Sequence, residues 1–180
     1  SLNNIGNTCL LLGKLDAAQE VLARAIRLGT PGSNQLGYAY NRLADVCLAQ
    51  DRPAEAVSAY RQAAAIRETH PGEKSRDLID SLMGLGNSLQ QTHDYHEAEA
   101  AFHRALRICE DRSAGQPDKE AYVALHMLVA CCRKRENPAA AEVHVRRMLD
   151  IARTLPEPVP DLDDTTLNLL GDVLLEAEKY

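Results

Sequence analysis

The stretch Leu2-Asn3-Asn4-Ile5-Gly6-Asn7-Thr8-Cys9 decides the fold, because its apolar skeleton returns four more times. The later copies are Tyr40-x2-Leu43-Ala44-x2-Cys47, Leu82-x2-Leu85-Gly86-x2-Leu89, Leu125-x2-Leu128-Val129-x2-Cys132 and Leu167-x2-Leu170-Gly171-x2-Leu174. Twelve residues after the Gly, Ala or Val of the first four copies a second skeleton begins, at Ala18, Ala56, Ala98 and Ala141. It reads Ala18-x3-Leu22-x2-Ala25, Ala56-x3-Tyr60-x2-Ala63, Ala98-x3-Phe102-x2-Ala105 and Ala141-x3-Val145-x2-Met148. An internal repeat of this kind means one supersecondary unit stacked on copies of itself.

At about 100° per residue, Leu2, Ile5, Gly6 and Cys9 share one stripe of a helix, and the other copies do the same. The second skeleton is helical too, and breakers separate the two: Gly13-Lys14-Leu15-Asp16, Asp51-Arg52-Pro53, His93-Asp94-Tyr95 and Glu136-Asn137-Pro138. Pro53 and Pro138 stand at a helix start, where a missing amide hydrogen costs nothing. The chain is therefore expected to be all-α, about nine helices in antiparallel hairpins. The repeats are read as 1–35, 36–77, 78–119 and 120–162, with a half repeat at 163–180, in a single array cut from a longer protein. Gly6, Ala44 and Gly86 are expected to face Ala18, Ala56 and Ala98 at close range. Val129, Val145 and Met148 should make the fourth hairpin the loosest.

A 180-residue chain with 45% apolar and 26% charged residues has ordinary globular composition. Its net charge of -6 argues against nucleic-acid binding. Three of the five cysteines, Cys9, Cys47 and Cys132, fall on the apolar column, so they read as small core residues of a reducing, cytoplasmic protein. No apolar run reaches the roughly 20 residues that span a bilayer, so no membrane partner is expected.

The two skeletons resemble the tetratricopeptide repeat (TPR). That family places a large residue, Leu, Gly or Ala, and an aromatic on the first helix, and Ala, an aromatic and Ala on the second. The long step between copies, residues 2 to 7 and Ala105-Leu106-Arg107-Ile108 are most similar to the repeats of kinesin light chains and of bacterial multidomain regulators. The resemblance implies a right-handed superhelix, a TPR solenoid, whose first helices line a concave groove for a peptide or a partner helix.

Rotating away from the core stripe puts Asn4 and Asn7 of copy one, and Asn41, Arg42 and Asp45 of copy two, on that groove. Met83 and Asn87 follow from copy three, His126, Met127 and Arg133 from copy four, and Asn168 from copy five. Amide side chains both donate and accept, so the asparagines suit an extended peptide backbone, and the methionines offer adaptable apolar contact. The family's carboxylate clamp is missing, because Asn3 and Asp80 stand at its lysine positions.

Catalysis finds no support. Gly84-Leu85-Gly86 lacks a third glycine and a preceding strand, so it reads as packing. Cys131, Cys132, His126 and His144 have no placed orienter, and His93, His96 and His103 lack further ligands, so neither a metal nor another cofactor is expected. Arg133-Lys134-Arg135 with Arg146-Arg147 forms a basic cluster, read as the charged end of a hairpin or a dock for an acidic partner. Asp161, Asp163 and Asp164 are read as helix-start acids.

The function expected is non-catalytic binding of a protein or peptide. The alternative is a sensor array of a bacterial signalling ATPase, transcriptional regulator or repeat-linked protease. Leu167, Leu170 and Leu174 form a stripe without a second helix, so self-association through it is a further expectation.

Overall fold

The computed structural model describes residues 1–69, 76–114, 116, 118–155 and 162–177. Every regular element among them is an α-helix: α1 (Leu2–Leu11), α2 (Leu15–Leu28), α3 (Asn34–Ala49), α4 (Pro53–Glu68), α5 (Arg76–Gln91), α6 (Tyr95–Ser113), α7 (Lys119–Lys134), α8 (Pro138–Thr154) and α9 (Leu162–Ala177). They fall into two compact units, Ser1–Asp94 with α1 to α5 and Tyr95–Tyr180 with α6 to α9. Leu15 and Tyr95, read as parts of breakers, are the first residues of α2 and α6. The connections at 70–75 and 156–161 lie outside the described residues, as do the side chains of Asp163 and Asp164.

One device closes the four breakers. Gly13, Asp51, His93 and Glu136 take positive φ of 69, 58, 63 and 54°. The next residue in each case, Lys14, Arg52, Asp94 or Asn137, donates its amide to the carbonyl of Cys9, Cys47, Leu89 or Cys132 at 2.8 to 2.9 Å. The last apolar residue of the skeleton thus gains a partner for a carbonyl that the helix end would orphan, as in a left-handed C-terminal cap. Starts are fixed by other means. Pro53 and Pro138 open α4 and α8, and Ser33, Asp118 and Asn137 accept first-turn amides of α3, α7 and α8.

In the first unit α1 packs on α2 and α3, α3 on α4 and α5, and α4 on α5. The first helices α1, α3 and α5 therefore form one layer, with α2 and α4 behind. Ala18, Leu22, Ala44, Val46, Ala56, Tyr60 and Ala63 are buried between them. Gly6 lies nearest to Leu22: a Cβ there would lie 2.6 Å from Leu22 Cγ. Gly84 also marks a close approach, since a Cβ at that position would fall on the Tyr60 ring. Ile5, assigned to the core stripe, is 53% exposed. The neighbours α2 and α3 cover only one side of α1.

In the second unit α7 packs on α6 and α8, and α8 on α9. Phe102, Leu125, Leu128, Val145, Met148 and Val173 are fully buried. Val129, Val145 and Met148, which depart from the repeat pattern, are buried as well.

Candidate functional site

The outward face of the first helices is built from the residues left over once the core stripe is buried. In the first unit Asn4 is exposed, while Asn7, Met83 and Asn87 are half-buried. Among the described residues the side-chain amides of Asn4, Asn7 and Asn87 make no hydrogen bond within the protein. Between them on α3, Arg42 pairs with Asp45 at 3.1 Å and stacks over Tyr38, 5.2 Å from the ring centroid. Asp45 also accepts the Tyr60 hydroxyl. Burial, then the Asp45 carboxylate, push the Tyr60 phenol far above its ordinary range, so it stays a donor.

Asn41 departs from expectation. It is 3% exposed, and its amide oxygen accepts the Ser81 hydroxyl of α5 at 2.8 Å. Arg67, buried at the end of α4, donates to the same Ser81 hydroxyl and to the Asp77 carbonyl. Asn41 therefore joins first helices and is not open to a ligand. Asn3, at the same repeat position, also bridges, donating to the Gln35 carbonyl at 2.9 Å. In the second unit Tyr122 and Thr166 make the corresponding link between α7 and α9 at 2.8 Å. Outward rotation from the core stripe misses these polar links, because within each unit first helices also meet one another along a further edge, α1 with α3, α3 with α5 and α7 with α9.

Of the remaining candidates, His126 and Asn168 are exposed and Met127 is half-buried. Arg133 forms a bidentate pair with Glu176 of α9, its Nε 3.0 Å from both carboxylate oxygens. Arg135 pairs with Glu99, Arg146 with Glu142 and Arg147 with Glu110. Arg133, Arg135, Arg146 and Arg147 of the basic cluster are thus each paired with a carboxylate.

Cys131 and Cys132 are buried, and burial, with Glu99 nearby, pushes the Cys132 thiol up to about 11. Cys109, Asp118 and Glu120 converge within 4.8 Å, a grouping not apparent from their spacing. Arg112 already spans the two carboxylates at 2.9 and 2.7 Å, and burial first, then these acids, push the Cys109 thiol up to about 12. A cation's place is filled by a guanidinium. No helix among the described residues is long and apolar enough to cross a membrane.

Sequence also missed a cleft of about 400 Å³ on the other side of the first unit. Tyr40, Leu43 and Cys47 of α3 form its floor, with Gln19 of α2 and Glu55, Ser58 and Gln62 of α4 at its rim. The small Ala54 and Ala59 leave that space open.

Among curated proteins no sequence matches this chain. Solved structures do. BtubC (BKLC) from P. vanneervenii superposes with a TM-score of 0.82 at 19% identity, over 98% of this chain and 72% of its own. TPR-like repeats of kinesin light chain type from Podosopora anserina, nearly identical to one another, give 0.81 at 16% identity, over 99% and 86%. At such identities the likeness shows the fold, a TPR-like array of helices. The family model described as Tetratricopeptide repeat matches residues 1–69 and 77–154, most of the sequence, and the chain belongs to that family.

Proposed function

We propose that the chain is a non-catalytic scaffold that binds a protein partner, with an extended segment of that partner lying on the outward face of α1, α3 and α5. The observation that carries this reading is the set of uncommitted amides at Asn4, Asn7 and Asn87 on a layer of adjacent first helices. Each amide supplies a donor and an acceptor to a peptide backbone without demanding a particular side chain. Met83 adds a deformable apolar contact. The ion pair of Arg42 and Asp45 lies between these groups, so a bound segment meets both signs of charge. In the second unit His126, Met127 and Asn168 are the contacts proposed. Asn41 and Arg133 are structural, since both are engaged within the chain.

The test is to select a binder from a displayed random dodecapeptide library and titrate it calorimetrically against the chain and a combined Asn7→Ala, Met83→Ala, Asn87→Ala variant. Affinity is expected to fall by about tenfold or more, about 1.4 kcal/mol, with unchanged ellipticity. Undiminished affinity contradicts the reading. Asn41→Ala is expected to lower thermal stability while leaving affinity in place.

A further inference from the structure

Arg104 and Arg107 lie on successive turns of α6, and α8 brings Arg147 alongside, around a cleft of about 350 Å³ also lined by His103, Leu106 and Glu110. Three guanidiniums share this space with one lining carboxylate, in a chain whose net charge is -6. The local sign is opposite to that of the molecule. Arg147 is held by Glu110 in a half-exposed pair, the kind that contributes little and reorganises readily. Arg107 is exposed and, among the described residues, has no acidic partner. At the edge of the cleft the His103 and His144 rings sit 5.4 Å apart. Glu99 lies 3.9 Å from His103 and is already paired with Arg135.

We infer that this cleft between α6 and α8 binds an acidic segment of a protein partner. It is separate from the first-helix face and does not depend on the reading of that face. Cations spread along one helix turn and across to a second helix match carboxylates spaced along a chain better than a single point charge. Arg107 is the anchor: an always-charged planar donor set suited to bidentate capture of a carboxylate. Arg104 and Arg147 provide the surrounding field, and Leu106 gives the aliphatic stems of the ligand an apolar contact. The attraction is mostly between exposed charges, so salt screens it.

A fluorescently labelled hexaglutamate peptide, titrated into the full chain in low-salt buffer and followed by anisotropy, tests the inference. Binding is expected, with Arg107→Glu weakening it by about tenfold or more and Arg24→Glu, an equal charge change on exposed α2, leaving it unchanged. Inorganic phosphate at matched charge concentration is expected not to displace the peptide. Absence of binding, equal weakening by both substitutions, or displacement by phosphate overturns the inference. Unchanged ellipticity of both variants shows that loss of fold is not the cause.

Discussion

Helices α5 and α9 carry the same apolar skeleton in opposite surroundings. Leu82 and Leu89 of α5 are buried, whereas their counterparts Leu167 and Leu174 of α9 are 41% and 39% exposed. Gly6 and Gly171 differ in the same way: a Cβ on the first would strike Leu22, and one on the second would meet nothing within 4 Å. The skeleton therefore specifies which face of a helix is apolar, and the neighbouring helix decides whether that face is buried. Among the described side chains of α9, Thr166 and Val173 are the buried ones.

The contrast is broken most strongly by truncation. Leu82→Ala is expected to cost about 2–5 kcal/mol in urea denaturation, through lost burial plus a residual cavity. Leu174→Ala should cost less, about 1–2 kcal/mol, because 39% of the residue stays in water in the folded chain. A Leu174 cost equal to that of Leu82 would mean the α9 face is covered in solution, as self-association predicts, and sedimentation would then show it. Next come the glycines. Gly6→Ala is expected to destabilise by about 1–3 kcal/mol by overpacking Leu22. Gly171→Ala should stabilise by up to about 1 kcal/mol through helix propensity alone. Equal effects at the two sites would remove the distinction.

Smaller gains are expected at the turns that all four breakers share. Asp51→Gly, His93→Gly and Glu136→Gly relieve a left-handed backbone strained by about 1–2 kcal/mol. They give back roughly 0.4–1 kcal/mol through the looser unfolded chain, leaving up to about 1 kcal/mol in thermal melts. A further effect is on pH. Burial raises Cys109 to about 12 and Cys132 to about 11, so the folded chain keeps both protons while the unfolded chain loses them above about pH 8.5. Their stabilising contribution is complete below that pH and is lost as pH rises toward 11–12, which a series of melts from pH 7 to 10 would reveal as a falling Tm. Half-buried Cys9 should meanwhile be alkylated before either.

The hairpins, their turns and the apolar column were legible in sequence because a period fixes which residues share a face. The polar links were not. Asn41, Ser81 and Arg67 come together from three helices, and although Asn41 stands at the repeat position of Asn3 and not at that of Asn7 and Asn87, a repeat position does not name the partners that bury it. The pairing of the basic cluster was hidden for a similar reason: the acids that meet Arg133, Arg135 and Arg147 lie 36 to 43 residues away. The cluster on α6 and α8 went unread because Arg147 reaches Arg104 and Arg107 only through packing around α7.

The most direct test of the proposed binding face is a nuclear magnetic resonance titration of the selected dodecapeptide, read at side-chain amides. The account predicts saturable shifts at Asn4, Asn7 and Asn87 with one common midpoint. Stationary signals there, with Gln19 and Gln62 moving instead, would place the partner in the opposite cleft and contradict it.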